Sequence, residues 1–214
     1  SCTAAVIEMG MSDFGEIERL SRAAHPTVCM ITNIGFSHIE KLGSQEGILQ
    51  AKLEILKGAD RKAPLIVNGD DKFLSGLKSE YDGYRKVIDY GIENKDCDYV
   101  AEDIKMFEDR MSFNVVHNGE MITDVLLFCI GKHNIYNALA AVTAAAVVGS
   151  DPAAAAEMLS GYQPEGMRQN IQKRGQQTII VDCYNASPTS MKASIDLLCN
   201  MKPKEGGRRV AVLG

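Results

Sequence analysis

Neither of the glycine-rich nucleotide signatures, G-x-x-x-x-G-K-[ST] or G-x-G-x-x-G, occurs anywhere in these 214 residues. A phosphate loop or a dinucleotide fingerprint inside the chain is therefore excluded; Gly43-Ser44, ahead of a helix, offers only a weak and nonspecific anion contact. No apolar run approaches the roughly 20 residues that a membrane span requires. The N-terminus also lacks the basic-then-apolar order of a secretory signal, so the chain reads as soluble and cytosolic. Cysteines stand at 2, 29, 97, 129, 183 and 199 with no C-x-x-C pair, which removes the common zinc and redox motifs and predicts buried free thiols. A net charge of −5 argues against a general nucleic-acid binder.

What is present is an ordinary globular composition, 45% hydrophobic with 19 glycines and 6 prolines, long enough for a substantial core and for more than one domain. Charge divides unevenly. Residues 163–214 carry 8 basic and 4 acidic side chains, while residues 1–162 carry 15 basic and 24 acidic ones. An acidic part suited to divalent cations and a basic part facing a polyanion such as a nucleotide would have this pattern.

Along the chain, "AAVIEMG", "TVCMITN" and "PLIVN" read as strands, alternating with helices over 14–24 and 44–58; such alternation implies parallel strands with helical crossovers. "RKVIDYG", "DYVAEDIKMF" and "RMSFNVVHNGEMITDVLLFCIG" read as strands with little helix between them, and His117-Asn118-Gly119-Glu120 is a two-residue hairpin turn. They predict a mainly antiparallel extension. Helices are expected over 133–149 and 151–160, the second opened by Asp151 as cap and Pro152 at the first helical position. Gly161 to Gly166 is a linker. Beyond it "NIQKRG" and "QTIIVDCYN" read as strands, Pro188 to Asn200 as a helix, and "RRVAVLG" as a buried strand that ends where a βα unit would continue. The fold class expected is α/β, a mostly parallel sheet with helices and an antiparallel extension, followed by a partial Rossmann-like α/β domain. The boundary is expected at 162/163.

Within "SQEGILQAKLEILKG", Ile48, Leu49, Leu53, Ile55 and Leu56 form an apolar stripe and Lys52 lies inside it. A lysine can lay its stem along such a face and carry its charge to water, so periodicity alone marks Lys52 as odd and no more. Glu8 follows "AAVI", at the C-terminal end of a predicted parallel strand, where ligands bind in open α/β sheets. "VCMITN" ends similarly in Thr32-Asn33-Ile34-Gly35, followed by His38 and Glu40, so Glu8, His38 and Lys52 can converge on one crevice. Each has a plain alternative: Glu8 as a helix cap, His38 as a solvated loop histidine. Asn134 and Asn137 in "GKHNIYNALAA" are helix-surface neighbours whose amides suit an adenine edge, or Asn134 is simply a cap. Asp182 ends a strand at a position suited to ribose hydroxyls. Arg168 can reach a phosphate or be a surface arginine.

The stretches "EMGMSDFGEIERL", "ITNIGFSHIEKLGSQEGILQAKLEIL", "GKHNIYNALAA" and "DCYNASPTSM" resemble, in order and separation, those of the Mur ligases of peptidoglycan synthesis. Within that family they are most similar to the type that joins D-alanyl-D-alanine to UDP-N-acetylmuramoyl-tripeptide. The resemblance implies a chain that begins inside the central ATPase domain, after its phosphate loop (1–162), and stops inside the C-terminal domain (163–214). It implies ATP and Mg2+ as cofactors and an acyl phosphate intermediate. Glu8 and His38 would serve magnesium, Asn134 and Asn137 the adenine end of ATP, and Arg168 and Asp182 the nucleotide from the second domain. Asn33 would contact the peptidyl substrate or a metal, and Lys52 matches the lysine that takes up CO2 as a carbamate and then holds a metal. Ser37 stands where alanine is more usual. The partners implied are the UDP-linked tripeptide and the dipeptide, with no nucleic acid and no membrane span, acting on a monomer. The rival readings are a non-catalytic nucleotide-binding module of the same fold and a related ligase using a different amine.

Overall fold

The computed structural model describes residues 4–107, 109–162, 167, 170–184, 186–201, 203 and 206–213. Its contacts divide the chain into two compact units, 1–98 and 99–214. This division falls well before the 162/163 boundary expected from sequence.

In the first unit three parallel strands, β1 (Cys29–Ile31), β2 (Leu65–Asn68) and β3 (Val87–Gly91), stand in the order β1-β2-β3, with Cys29 opposite Leu65 and Leu65 opposite Val87. Every residue of β2 and β3 is buried, which is why these segments are mostly apolar; the buried Asp89 is paired with Lys78 at 2.9 Å. Helix α1 (Glu16–Ala24) precedes β1, α2 (Ile39–Leu42) and α3 (Gln45–Leu53) lie between β1 and β2, and α4 (Leu77–Glu80) lies between β2 and β3. Ser44 caps α3 by accepting from the Gly47 amide at 3.2 Å, and the helix tightens into a 3-10 turn over Glu54–Lys57. The stripe seen in the sequence lies on the core: Ile48 is buried in one cluster with Cys29, Ile31, Leu65 and Val67, and Leu49, Leu53, Ile55 and Leu56 pack against that cluster. Burying each such aliphatic side chain contributes about 1.5–3 kcal/mol.

The strand expected over "AAVIEMG" does not form. Residues 4–10 have no regular structure and Val6 is 100% exposed. An extended segment gains a ladder only from a neighbouring strand, and none of the described strands pairs with this one.

In the second unit β4 (Tyr99–Met106), β5 (Met111–His117) and β6 (Glu120–Leu127) form an antiparallel meander. Asn118 and Gly119 take φ of 52° and 78°, the left-handed pair that the hairpin turn requires. Alternate residues of β5, Met111, Phe113 and Val115, face the core. Helices α5 (Lys132–Val147) and α6 (Pro152–Ser160) follow, the latter capped by Asp151, which accepts from the Ala153 amide at 3.0 Å. A separate antiparallel pair, β7 (Asn170–Arg174) and β8 (Gln177–Val181), leads to α7 (Pro188–Asn200). Ser187 and Ser190 close a capping box at the start of α7. Most of the expected linker, Gln163 to Gly166, lies outside the described residues.

Two further expectations are corrected. "RRVAVLG" is not a buried strand: residues 207–213 are irregular and Val212 is 93% exposed, again with no strand of the described set beside it. Among the described residues the thiols are free as expected, but Cys29, Cys97 and Cys129 are buried while Cys183, on the irregular stretch after β8, and Cys199, on α7, are exposed; Cys2 lies outside the described residues. Among the described residues no helix is long and apolar enough to cross a membrane.

Cys97 fits where it does because Gly69 and Gly91 have no side chains. A Cβ on Gly69 would stand 2.4 Å from the Cys97 sulfur. Gly69→Ala is therefore expected to cost about 1–3 kcal/mol by overpacking, and Gly69→Ala combined with Cys97→Ala to recover most of it. Urea denaturation of the two single variants and the double variant measures that coupling.

Candidate functional site

The parallel strands of the first unit deliver their C-terminal ends to one edge, and the loops leaving that edge are fastened by side chains. Asp70 and Asp71 follow β2 directly. Asp70 turns toward the loop after β3: its Oδ2 accepts from the Ile92 amide at 2.6 Å and the Glu93 amide at 3.0 Å, and its Oδ1 from the Asn94 amide at 2.7 Å. Asp71 turns toward the loop after β1: its Oδ2 accepts from the Ile34 amide at 2.7 Å and its Oδ1 from the Phe73 amide at 2.9 Å. The Gln45 side chain, at the start of α3, donates to the carbonyls of Ile34 at 3.1 Å and Gly35 at 3.4 Å. Hydrogen bonds to ionised acceptors are the stronger kind, so both loops are held by charge.

Lys52 meets this edge from α3. Its side chain is half-buried in the apolar stripe and its Nζ donates to the Asn33 carbonyl at 2.6 Å. Desolvation pushes its pKa below the ordinary lysine value, and the Asp71 carboxylate offsets part of that fall. A partly desolvated amine of lowered pKa is available as a nucleophile more often than a solvated one. Two residues on, the buried Glu54 accepts from the Gly15 amide at 2.9 and 2.8 Å and thereby fixes the entry to α1.

Lys52 and Asn33 are thus brought together, through the Asn33 backbone. The Asn33 side chain is exposed, its amide 3.5 Å from the Thr32 hydroxyl. His38 is exposed, adopts φ 62° as the residue before α2, and its imidazole has no partner among the described residues. Glu8 lies on the irregular stretch before α1, exposed and equally unpartnered among the described residues. Among the described residues no three His, Cys, Asp or Glu side chains gather at metal-binding spacing.

In the second unit Asn134 sits in the first turn of α5. It is not the N-cap, which is Gly131; its side-chain amide instead donates back to the Ile130 carbonyl at 3.0 Å. Asn137, one turn on, is exposed. Gly131 holds φ 115°, and the His133 ring packs where its Cβ would be, 2.6 Å away. Asp182 follows β8 and is half-buried; one of its oxygens accepts from the Ser194 hydroxyl on α7. Arg168 lies outside the described residues. Asp70, Asp71, Gln45 and Glu54 were not singled out from sequence. The doubled aspartate after an apolar run, at the end of a parallel strand, was the available signal.

Residues 1–145 match the family model described as Mur ligase middle domain. The chain belongs to the Mur ligase family. Over 98% of its length this Mur ligase chain is 43% identical to the UDP-N-acetylmuramoyl-tripeptide–D-alanyl-D-alanine ligase of Bacillus subtilis, and it spans 44% of that relative. In structure it is similar to MurF from Acinetobacter baumannii, with a TM-score of 0.81 and 29% identity over 90% of this chain and 41% of that one. It is also similar to MurF ligase from Thermotoga maritima in complex with ADP, with a TM-score of 0.76 and 26% identity over 88% and 42% of the two chains.

The lowered pKa of Lys52 has a signed consequence. The folded chain holds this proton less tightly than the unfolded chain, so the ammonium costs stability below the folded pKa, and the cost disappears as pH rises past the ordinary value of 10.5. In CO2-free buffer, Lys52→Met is expected to be more stable than the wild type at neutral pH, by a margin that narrows as the pH rises toward that value. Urea midpoints across the pH range measure it; a variant less stable at neutral pH would mean that the Asn33 hydrogen bond outweighs desolvation.

Proposed function

We propose that this chain is part of an ATP-dependent ligase of peptidoglycan precursor synthesis that adds D-alanyl-D-alanine to UDP-N-acetylmuramoyl-tripeptide. The observation that carries this reading is the 43% identity to the Bacillus subtilis ligase of that name across 98% of the chain. The half-buried amine at the ligand-binding edge of the sheet supports it. In this reading residues 1–162 belong to the central ATPase domain and residues 163–214 to the C-terminal domain, and the protein acts as a cytoplasmic monomer.

The reaction joins a carboxylate to an amine. ATP phosphorylates the terminal carboxylate of the UDP-linked tripeptide, the dipeptide amine attacks the acyl phosphate, and phosphate leaves. Negative charge gathers on phosphoryl oxygens, so fixed donors and cations dominate such catalysis. Glu8, His38 and a carbamate on Lys52 would hold magnesium, which when bound neutralises that charge. The carbamate replaces a cation with a planar anion bearing two oxygens, the donor type that magnesium prefers. Lys52 suits the modification, because its burial favours the unprotonated amine that CO2 requires. Asn134 and Asn137 would face the adenine end of ATP; Asn134, held back on the Ile130 carbonyl, is already oriented. Arg168 and Asp182 would reach the nucleotide from the second domain, and Asn33 would offer its exposed amide to the peptidyl substrate.

The full-length enzyme, given ATP, the UDP-linked tripeptide and a panel of amino acids and dipeptides, is expected to form amide with D-alanyl-D-alanine. Preference for a single amino acid would overturn the assignment. In the same assay Lys52→Ala is expected to lose at least about 100-fold in kcat, in line with the loss of a charge-stabilising group, and to recover partly with added short-chain carboxylates. Wild-type turnover by Lys52→Ala in bicarbonate-free buffer would rule out the carbamate.

A further inference from the structure

Lys52 and Asp71 hold opposite poles of the same peptide group. The carbonyl of Asn33 accepts from Lys52 Nζ at 2.6 Å, and the N–H on the other side of that peptide bond, that of Ile34, donates to Asp71 Oδ2 at 2.7 Å. A peptide unit is planar, so fixing its N–H fixes the direction of its carbonyl. Asp71 is itself anchored: its Oδ1 accepts from the Phe73 amide at 2.9 Å, and its carbonyl accepts from the amides of Leu74 at 3.0 Å and Ser75 at 2.9 Å. Gln45 holds the next two carbonyls of the same loop. The loop after β1 is thereby held on both sides of the Asn33–Ile34 peptide, whose oxygen is the acceptor for Lys52.

We infer that Asp71 is a positioning residue for the modified Lys52: by holding the Ile34 N–H it aims the Asn33 carbonyl at the one N–H that remains on the carbamate nitrogen, and so sets the plane of the carbamate oxygens. The inference rests on the carbamate reading of Lys52 given above. In forming the carbamate, the lone pair of the neutral amine attacks the carbon of CO2, a C=O electron pair moves onto oxygen, and the nitrogen gives one proton to solvent. The product has a single N–H, conjugated and coplanar with its two oxygens as in an amide. One well-placed acceptor therefore fixes the whole group. The Asp71 carboxylate also polarises the intervening peptide and makes the Asn33 oxygen a stronger acceptor.

An opposite effect competes. A carboxylate this close also favours the ammonium over any anion at Lys52, so through charge alone the removal of Asp71 would increase carbamate formation. Positioning predicts a decrease. The two are separated by titrating the full-length protein with [13C]bicarbonate at fixed pH and following the carbamate carbon by NMR, the resonance being assigned by its loss in Lys52→Met. Asp71→Asn is expected to raise the half-saturating bicarbonate about tenfold and Gln45→Leu about threefold, the fold-changes that accompany loss of a charged and a neutral hydrogen bond. Cooperative melting of each variant defines the folded fraction. A merely structural role would lower the melting temperature and leave the half-saturation point of folded molecules unchanged. An unchanged or lowered half-saturation point in Asp71→Asn overturns the positioning role alone; should that variant not fold, the same outcome in Gln45→Leu does so. Absence of a Lys52-dependent carbamate signal in the wild type overturns the carbamate reading and this inference together.

Discussion

The two adjacent carboxylates at the end of β2 reach in opposite directions, Asp70 to the amides of residues 92–94 after β3 and Asp71 to the amide of Ile34 after β1. Parallel strands hand over to loops that have no ladder of their own, and an unpaired N–H near the core costs about 1–3 kcal/mol. The central strand supplies the missing acceptors for both flanking loops, and as charges. Close packing beneath them completes the arrangement: Gly69 and Gly91 leave room for Cys97, whose thiol burial pushes up to about 12, so that it serves as a filler and not as a nucleophile. The edge at which Lys52 meets the Asn33 carbonyl is fastened by these contacts, the kind of support a preorganised site requires.

How much of this was readable in the sequence depended on the range of the interaction involved. The 44–58 stripe, the Asn118-Gly119 turn and the Asp151-Pro152 helix start are local patterns, decided by residues within a turn of each other, and each appears in the structure close to its expected place. The oddity of Lys52 was visible for the same reason, although its acceptor, the Asn33 carbonyl, was not. Asp70, Asp71 and Glu54 act on backbone amides 22 to 39 residues away. Contacts of that kind leave no periodicity, and a doubled aspartate after an apolar run looks like an ordinary strand exit. The segments at the two ends of the chain fail differently. "AAVIEMG" and "RRVAVLG" have strand composition, but composition does not supply the neighbour with which a strand must pair.

The candidate site therefore rests on unequal supports. Lys52 and the Asn33 loop are joined by a direct hydrogen bond and share one edge of the first unit. Glu8 and His38 stand exposed near the start of α1 and α2, with open polar atoms and no mutual cage among the described residues. In the second unit, Asn134 and Asp182 are each tethered by a neighbour, to Ile130 and to Ser194. In the proposed function these separate pieces would share one purpose, the activation of a carboxylate by ATP.

That purpose has a direct chemical signature. If the full-length enzyme activates its substrate as an acyl phosphate, one carboxylate oxygen of the UDP-linked tripeptide leaves with the phosphate. With the terminal carboxylate labelled with 18O, mass spectrometry of the phosphate released during D-alanyl-D-alanine addition is expected to find one 18O atom per phosphate. Release of unlabelled phosphate alongside amide product would contradict the account.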